Sequence, residues 1–206
     1  MLFRSHLKGI VRETASVCED LSEKLAMLQQ PIDDPYVWNV RGEKEIHEKI
    51  ASLVRESQST IRIKAARDVL APHIETLTEA AALGVEIMII LFGDDADEFR
   101  VGESCQVYLH EDNGVRMGSA DNLFTMTVDH QIALTATTDN LTAFYTRNHA
   151  VVQMAETLIR HDFYMAEIHA RFGNEIEAAF GPYLRDLRLR SFSPEQAKSF
   201  REKTGL

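Results

Sequence analysis

Hydrophobic and polar positions alternate along the chain in two periods, and the switches between them mark elements. Val37-Trp38-Asn39-Val40-Arg41-Gly42 reads as a short strand closing on glycine. Glu43 to Glu56 then carries Ile46, Ile50, Leu53 and Val54 at the three-and-four spacing of a helix with one buried face. Thr60 to Ala65 returns to period two. Pro72 begins the next helix, Ile74, Leu77 and Ala81 form its stripe, and Gly84 stands where a left-handed cap ends it. Val85 to Phe92 is an unbroken apolar run, the signature of a strand covered on both faces. This strand-helix-strand-helix-strand order predicts a helix-crossed, largely parallel α/β region.

Beyond Phe92 the punctuation changes. The strands Cys105–His110, Leu123–Val128, Gln131–Thr137 and Ala143–Thr146 are separated by short turns at Glu111-Asp112-Asn113-Gly114, Asp129-His130 and Asp139-Asn140. Tight turns join antiparallel strands, so the expected fold class is α/β with a mixed sheet and helices on both faces. Val151, Met154, Ala155, Leu158 and Ile159 predict a covering helix running toward Ala170, and Ile176, Ala179 and Phe180 suggest a further short one.

The first thirty residues follow another rule. Leu7, Ile10, Thr14, Val17, Leu21, Lys24 and Leu28 form a heptad seam over three repeats. It reads as a coiled coil that dimerises the chain or as an amphipathic helix packed on its own domain. Pro31 and Pro35 stop it. The expected organisation is a coiled-coil helix over 1–30, an α/β domain over 36–190 and a polar tail over 191–206.

Composition narrows the functions available. A formal charge of -10 over 206 residues repels phosphate, so this part of the protein is not expected to grip nucleic acid by itself. Cys18 and Cys105 form no disulfide framework and no paired metal-ligand spacing, which suits a reducing cytoplasm. The longest apolar run, about eight residues, is too short to span a bilayer, and the N-terminus has no hydrophobic signal core. There is no glycine-rich phosphate loop, no esterase elbow and no cofactor motif. His161 and His169, eight residues apart on one predicted helix, are too widely spaced to share a metal.

The carboxyl ends of central strands are where open α/β sheets bind ligands. Gly93 and Asp94 follow the third strand and lead an acidic loop, Gly93–Glu98, that is either a solvated turn or a site for a cation or sugar hydroxyls. Arg67 and Asp68 follow the second strand and either reach a ligand or pair on the surface. Trp38 reads as core rather than as a stacking platform.

The N-terminal coiled coil, Val37–Gly42, the Ile61–Ala65 strand, the Leu83-Gly84-Val85-Glu86-Ile87 step and the Val128–Leu134 hairpin together resemble the C-terminal effector domain of TrmB-type transcriptional regulators. The resemblance covers roughly residues 5–170. It implies one lobe of a phospholipase-D-like fold, a sugar bound in a crevice at the sheet's edge, and a winged helix-turn-helix reader that precedes the coiled coil and is not seen in this chain. Phospholipase-D-like enzymes use a histidine nucleophile, a lysine two residues on and an aspartate five residues after that. Aligned on Val128-Asp129, the histidine position holds Asn122 and the lysine position Phe124, so only Asp129 remains.

The expectation is an effector-binding and dimerising domain, without catalysis, that takes a sugar or related polar metabolite through Arg67, Asp68, Gly93, Asp94, Asn122 and Asp129. A divergent phosphodiesterase using His130 or His110, and a scaffold with no ligand, are the alternatives.

Overall fold

The computed structural model divides the chain into two compact units, Met1–Asp34 and Pro35–Leu206. It describes residues 36–117, 122–137 and 140–206, together with Thr14, Val17 and Cys18. The predicted heptad seam therefore lies almost wholly outside the described residues.

In the larger unit the strands are β1 (Val37–Arg41), β2 (Thr60–Ala66), β3 (Glu86–Phe92), β4 (Cys105–Leu109), β5 (Leu123–Val128), β6 (Ile132–Thr137) and β7 (Thr142–Thr146). They form a seven-stranded mixed sheet in the order β1-β7-β6-β5-β2-β3-β4. Strands β2, β3 and β4 are parallel. The pairings β2–β5, β5–β6, β6–β7 and β7–β1 are antiparallel. Strand β1 runs in the direction of β2 but lies at the far edge, with the β5–β6–β7 meander between them.

Helices α1 (Glu43–Glu56), α2 (Arg67–Leu70) and α3 (Ile74–Ala82) follow β1 and β2, with a 3₁₀ turn at Ala71–His73 ahead of α3. The apolar stripe of α1, Ile46, Ile50, Leu53 and Val54, meets Ile61, Ile63, Ile87, Ile89, Phe124 and Met126 in one continuous core. Each such fully buried side chain contributes about 1.5–3 kcal/mol.

The other face is covered by α4 (His149–Phe180), a 32-residue helix where two were expected. Asn148 caps it by accepting from the Val151 N–H. The helix is kinked at Phe172, next to Gly173, whose missing side chain leaves the local backbone weakly held. The segment 191–206, expected to be a polar tail, instead carries helix α6 (Pro194–Thr204) after α5 (Arg185–Ser191). A Ser193/Gln196 capping box starts α6, and Phe200 anchors it with no exposed surface.

Candidate functional site

Period-two alternation in β2 turns Ile61 and Ile63 toward the apolar core and Arg62 and Lys64 toward α4. Two cations under a helix need anions, and α4 supplies them. Arg62 Nη1 donates to Glu156 Oε2 at 2.7 Å, and Lys64 Nζ lies 2.6 Å from Asp162 Oδ2. Glu156 is buried, and it also accepts from Thr127 Oγ1 at 2.5 Å and faces His130 Nδ1 at 3.2 Å. These pairs fix α4 over the sheet. A buried carboxylate with three partners is a structural bolt rather than a free ligand group.

At the carboxyl ends of β2 and β3 stand five of the six sequence-predicted residues. Arg67 donates through Nε and Nη2 to both oxygens of Glu98, at 2.6 and 2.8 Å, and that hydrogen-bonded carboxylate raises its pKa. Asp68 is paired with Arg116. The acidic loop is partly tied down, since Asp95 Oδ1 accepts from the Asp97 N–H and Arg100 pairs with Asp97. Asn122 enters at the adjoining start of β5.

Asp129 lies at the opposite end of β5. Its carboxylate accepts from the backbone N–H groups of Gln58, Ser59 and Thr60 and from the Ser59 hydroxyl, at 2.8–3.0 Å. Partial burial disfavours its charged form, but these donors outweigh that and hold its pKa below the ordinary value. Asp129 thus fastens the β5–β6 turn to the start of β2. Phe124, at the position where the phospholipase-D-like pattern has its lysine, is 1% exposed in the apolar core.

Beside the same carboxyl edge lies a cleft of about 450 Å³. One wall is the turn after β4, Glu111, Asp112 and Asn113; the other is the kinked end of α4 and the turn beyond it, including His169, Asn174, Glu177 and Tyr183. Both turns hold consecutive non-glycine residues in the left-handed region: Glu111 and Asp112 at φ 50° and 59°, Tyr183 and Leu184 at φ 55° and 54°. Such strain costs about 1–3 kcal/mol per residue and persists only where surrounding contacts enforce it. Arg188 enforces it here. Its Nη2 lies 2.9 Å from both Glu111 oxygens, and its Nη1 donates to the Tyr183 carbonyl.

Gly114 closes the first turn at φ 65°, and any Cβ there would meet the Gly93 carbonyl at 1.7 Å, so the cleft wall rests directly on the loop that follows β3. The Nε2 atom of His169 is buried at this cleft and has no hydrogen-bond partner among the described residues. The lining offers carboxylates, amides, a phenol and an imidazole, a set suited to the hydroxyl groups of a neutral polar ligand.

None of the cleft residues carried a sequence motif. The available signals were indirect: an acidic turn after the β4 strand, and the lone Gly173 within a helical pattern.

Among known proteins, residues 36–166 match the family described as transcriptional regulator TrmB, EBD N-terminal subdomain. The uncharacterized protein YrhO of Bacillus subtilis is 27% identical over 165 residues, which are 78% of this chain and 58% of YrhO. Among solved structures, TrmBL2, described as an archaeal chromatin protein with a novel mode of DNA binding, superposes with a TM-score of 0.51 at 17% identity. The match covers 80% of this chain and 66% of TrmBL2. This chain thus spans about three fifths to two thirds of the relatives it matches. Nuc from Salmonella typhimurium, a phospholipase D family member, gives a TM-score of 0.45 at 14% identity, covering 63% of this chain and 93% of Nuc.

Proposed function

Because the chain belongs to the TrmB family of transcriptional regulators through its EBD N-terminal subdomain, we propose that it senses a small polar effector, a sugar or sugar derivative, in the cleft between the 111–113 turn and the kinked end of α4. The observation that carries this reading is the cleft's build. A cavity of about 450 Å³ at the carboxyl edge of the parallel strands combines convergent polar groups, one aromatic ring and a buried imidazole nitrogen that has no partner among the described residues. Asp112, Asn113, Asn174 and Glu177 take the hydroxyl groups, and the Tyr183 ring packs on the apolar face of a sugar. Arg67, Asp68, Gly93, Asp94 and Asn122, in the neighbouring loops, form the approach to the cleft. Asp129 serves the turn it holds.

The domain acts without catalysis. A fully buried phenyl ring at Phe124 and an amide at Asn122 supply neither the cation nor the nucleophile that phosphoryl transfer needs. The effector signals by preferring one arrangement of the cleft walls, since a ligand with equal affinity for two arrangements shifts nothing. The hinge available is the α4 kink at Phe172, because the helix beyond it forms one wall. The N-terminal heptad seam dimerises the regulator. DNA contact belongs to a winged helix-turn-helix domain outside these residues, a division that the charge of -10 supports.

A thermal-shift screen against mono- and disaccharides, their phosphates and common acids tests the reading. A selective sugar at a hundredfold excess over its Kd adds about 2.7 kcal/mol of stability. A flat profile from folded protein would overturn it.

A further inference from the structure

On the face of the sheet opposite α4, two histidines meet nitrogen to nitrogen. His47 stands on α1, one position past the buried Ile46, and His73 closes the 3₁₀ turn that leads into α3. Nδ1 of His47 lies 2.8 Å from Nε2 of His73, while the ring centroids are 4.9 Å apart and the planes are tilted by 33°. The nitrogens are far closer than the centroids, so the rings face each other through these atoms instead of stacking. One of the two nitrogens carries the proton that the other accepts.

Three observations separate this pair from an ordinary surface hydrogen bond. His73 is 3% exposed, and burial followed by the neighbouring imidazole lowers its pKa to about 4, so at neutral pH it is an uncharged ligand. His73 also occupies the position before α3 where Ser, Thr, Asp or Asn favours a helix start, yet its side chain makes no cap hydrogen bond and turns to His47 instead. The elements that carry the rings are fixed independently, α1 by Ile46, Ile50, Leu53 and Val54, the segment around His73 by Leu70 and Leu77, all in one core.

Two imidazoles converging from separate elements suit zinc, nickel or copper, whereas magnesium and calcium take oxygen ligands. Metal–nitrogen bonds of about 2.0–2.1 Å at a tetrahedral angle place the nitrogens about 3.3 Å apart, so the pair opens by only about 0.5 Å. Metal entry moves the shared proton to the far nitrogen of its own ring; both imidazoles stay neutral and no proton is released. No carboxylate or thiol completes a group of three ligands here among the described residues, so water fills the remaining positions.

We infer that His47 and His73 form a two-histidine site for a divalent transition metal, which clamps α1 to the turn before α3. The inference does not depend on the effector cleft.

Calorimetric titration of Ni2+ into the full chain tests it, in a Cys18→Ser background that removes the exposed thiol. The expected result is saturable uptake of one Ni2+ per chain at this site, with no binding of Mg2+. Affinity falls about tenfold or more in His47→Gln and in His73→Gln and is unchanged in His161→Gln, an exposed histidine on α4. Ni2+ also raises the Tm of the parent and of His161→Gln, but not that of His47→Gln. If glutamine at the buried position 73 unfolds the protein, His47→Gln, at the more exposed ring, decides alone. No saturable Ni2+ uptake by the parent, or parental affinity retained in a folded variant of either histidine, would overturn the inference and leave the pair a hydrogen bond only.

Discussion

Arg188 holds both carboxylate oxygens of Glu111 at 2.9 Å, across 77 residues of sequence. The two side chains are 12% and 10% exposed, so this is a nearly buried pair, and it joins the turn after β4 to the segment after α4. Removing one member leaves the other charge with little solvent to stabilise it. Arg188→Met should therefore destabilise the domain by about 3 kcal/mol. For a domain of this size that is roughly 9 °C in Tm. Adding Glu111→Gln should recover part of the loss, and thermal unfolding of the two variants checks both statements.

His73 gives the fold an acid-sensitive point. It is buried, its Nε2 lies 2.8 Å from Nδ1 of His47, and burial followed by the neighbouring imidazole lowers its pKa to about 4. The unfolded chain, with an ordinary histidine near 6.5, then binds more protons between the two values. Stability is complete above about pH 6.5 and falls as the pH drops toward 4, by about 2 kcal/mol between pH 7 and pH 5. Denaturant unfolding should show that loss in the parent protein and a flatter profile in His73→Gln.

For Asp129 the depressed pKa sets the sign. Its stabilising effect is present above the unfolded value of about 3.9 and disappears as the pH falls through the lower folded value. Asp129→Asn should cost about 1 kcal/mol at neutral pH, since charge-assisted bonds to Gln58, Ser59 and Thr60 are weakened. The gap between variant and parent should narrow at acid pH, as protonation removes the Asp129 charge. Urea titrations at the two pH values measure it.

The two thiols should separate by reactivity. Burial raises the pKa of Cys105, whose Sγ also contacts the Phe99 carbonyl at 3.4 Å, whereas Cys18 is exposed. A disulfide reagent should label one thiol per chain promptly and the second only on unfolding.

The elements from Val37 to Phe92 were legible because each has a local cause: period-two alternation in β2, the Ile46–Val54 stripe, and Gly84 at the end of α3. The mixed character of the sheet was legible from the short turns around Asp129 and Asn140. The position of β1 was not, because strand order depends on pairings such as Trp38 with Tyr145 that no local pattern encodes. The candidate site divided along the same line. Loops at the carboxyl edge follow from strand order, so Arg67, Asp68, Gly93 and Asp94 were found at that edge. The cleft itself depends on left-handed residues at Glu111, Asp112, Tyr183 and Leu184, of which only Asp112 is a type that favours that conformation. It is held by a pairing between distant segments. Asp129 matched a catalytic pattern in sequence, while in the fold its oxygens are engaged by three backbone N–H groups and a hydroxyl. The α6 helix was obscured by its polarity, Phe200 being its one large buried side chain.

Isothermal titration of the best sugar from the screen into the parent protein and into Asn174→Ala tests the central claim most directly. Asn174 lines the cleft on the exposed side of α4, where truncation leaves the core untouched. The account predicts saturable binding to the parent with one site per chain and a loss of about tenfold in affinity on losing one hydrogen-bonding amide, about 1.4 kcal/mol. Equal affinity in both proteins, with the fold intact, would contradict it and remove the cleft as the effector site.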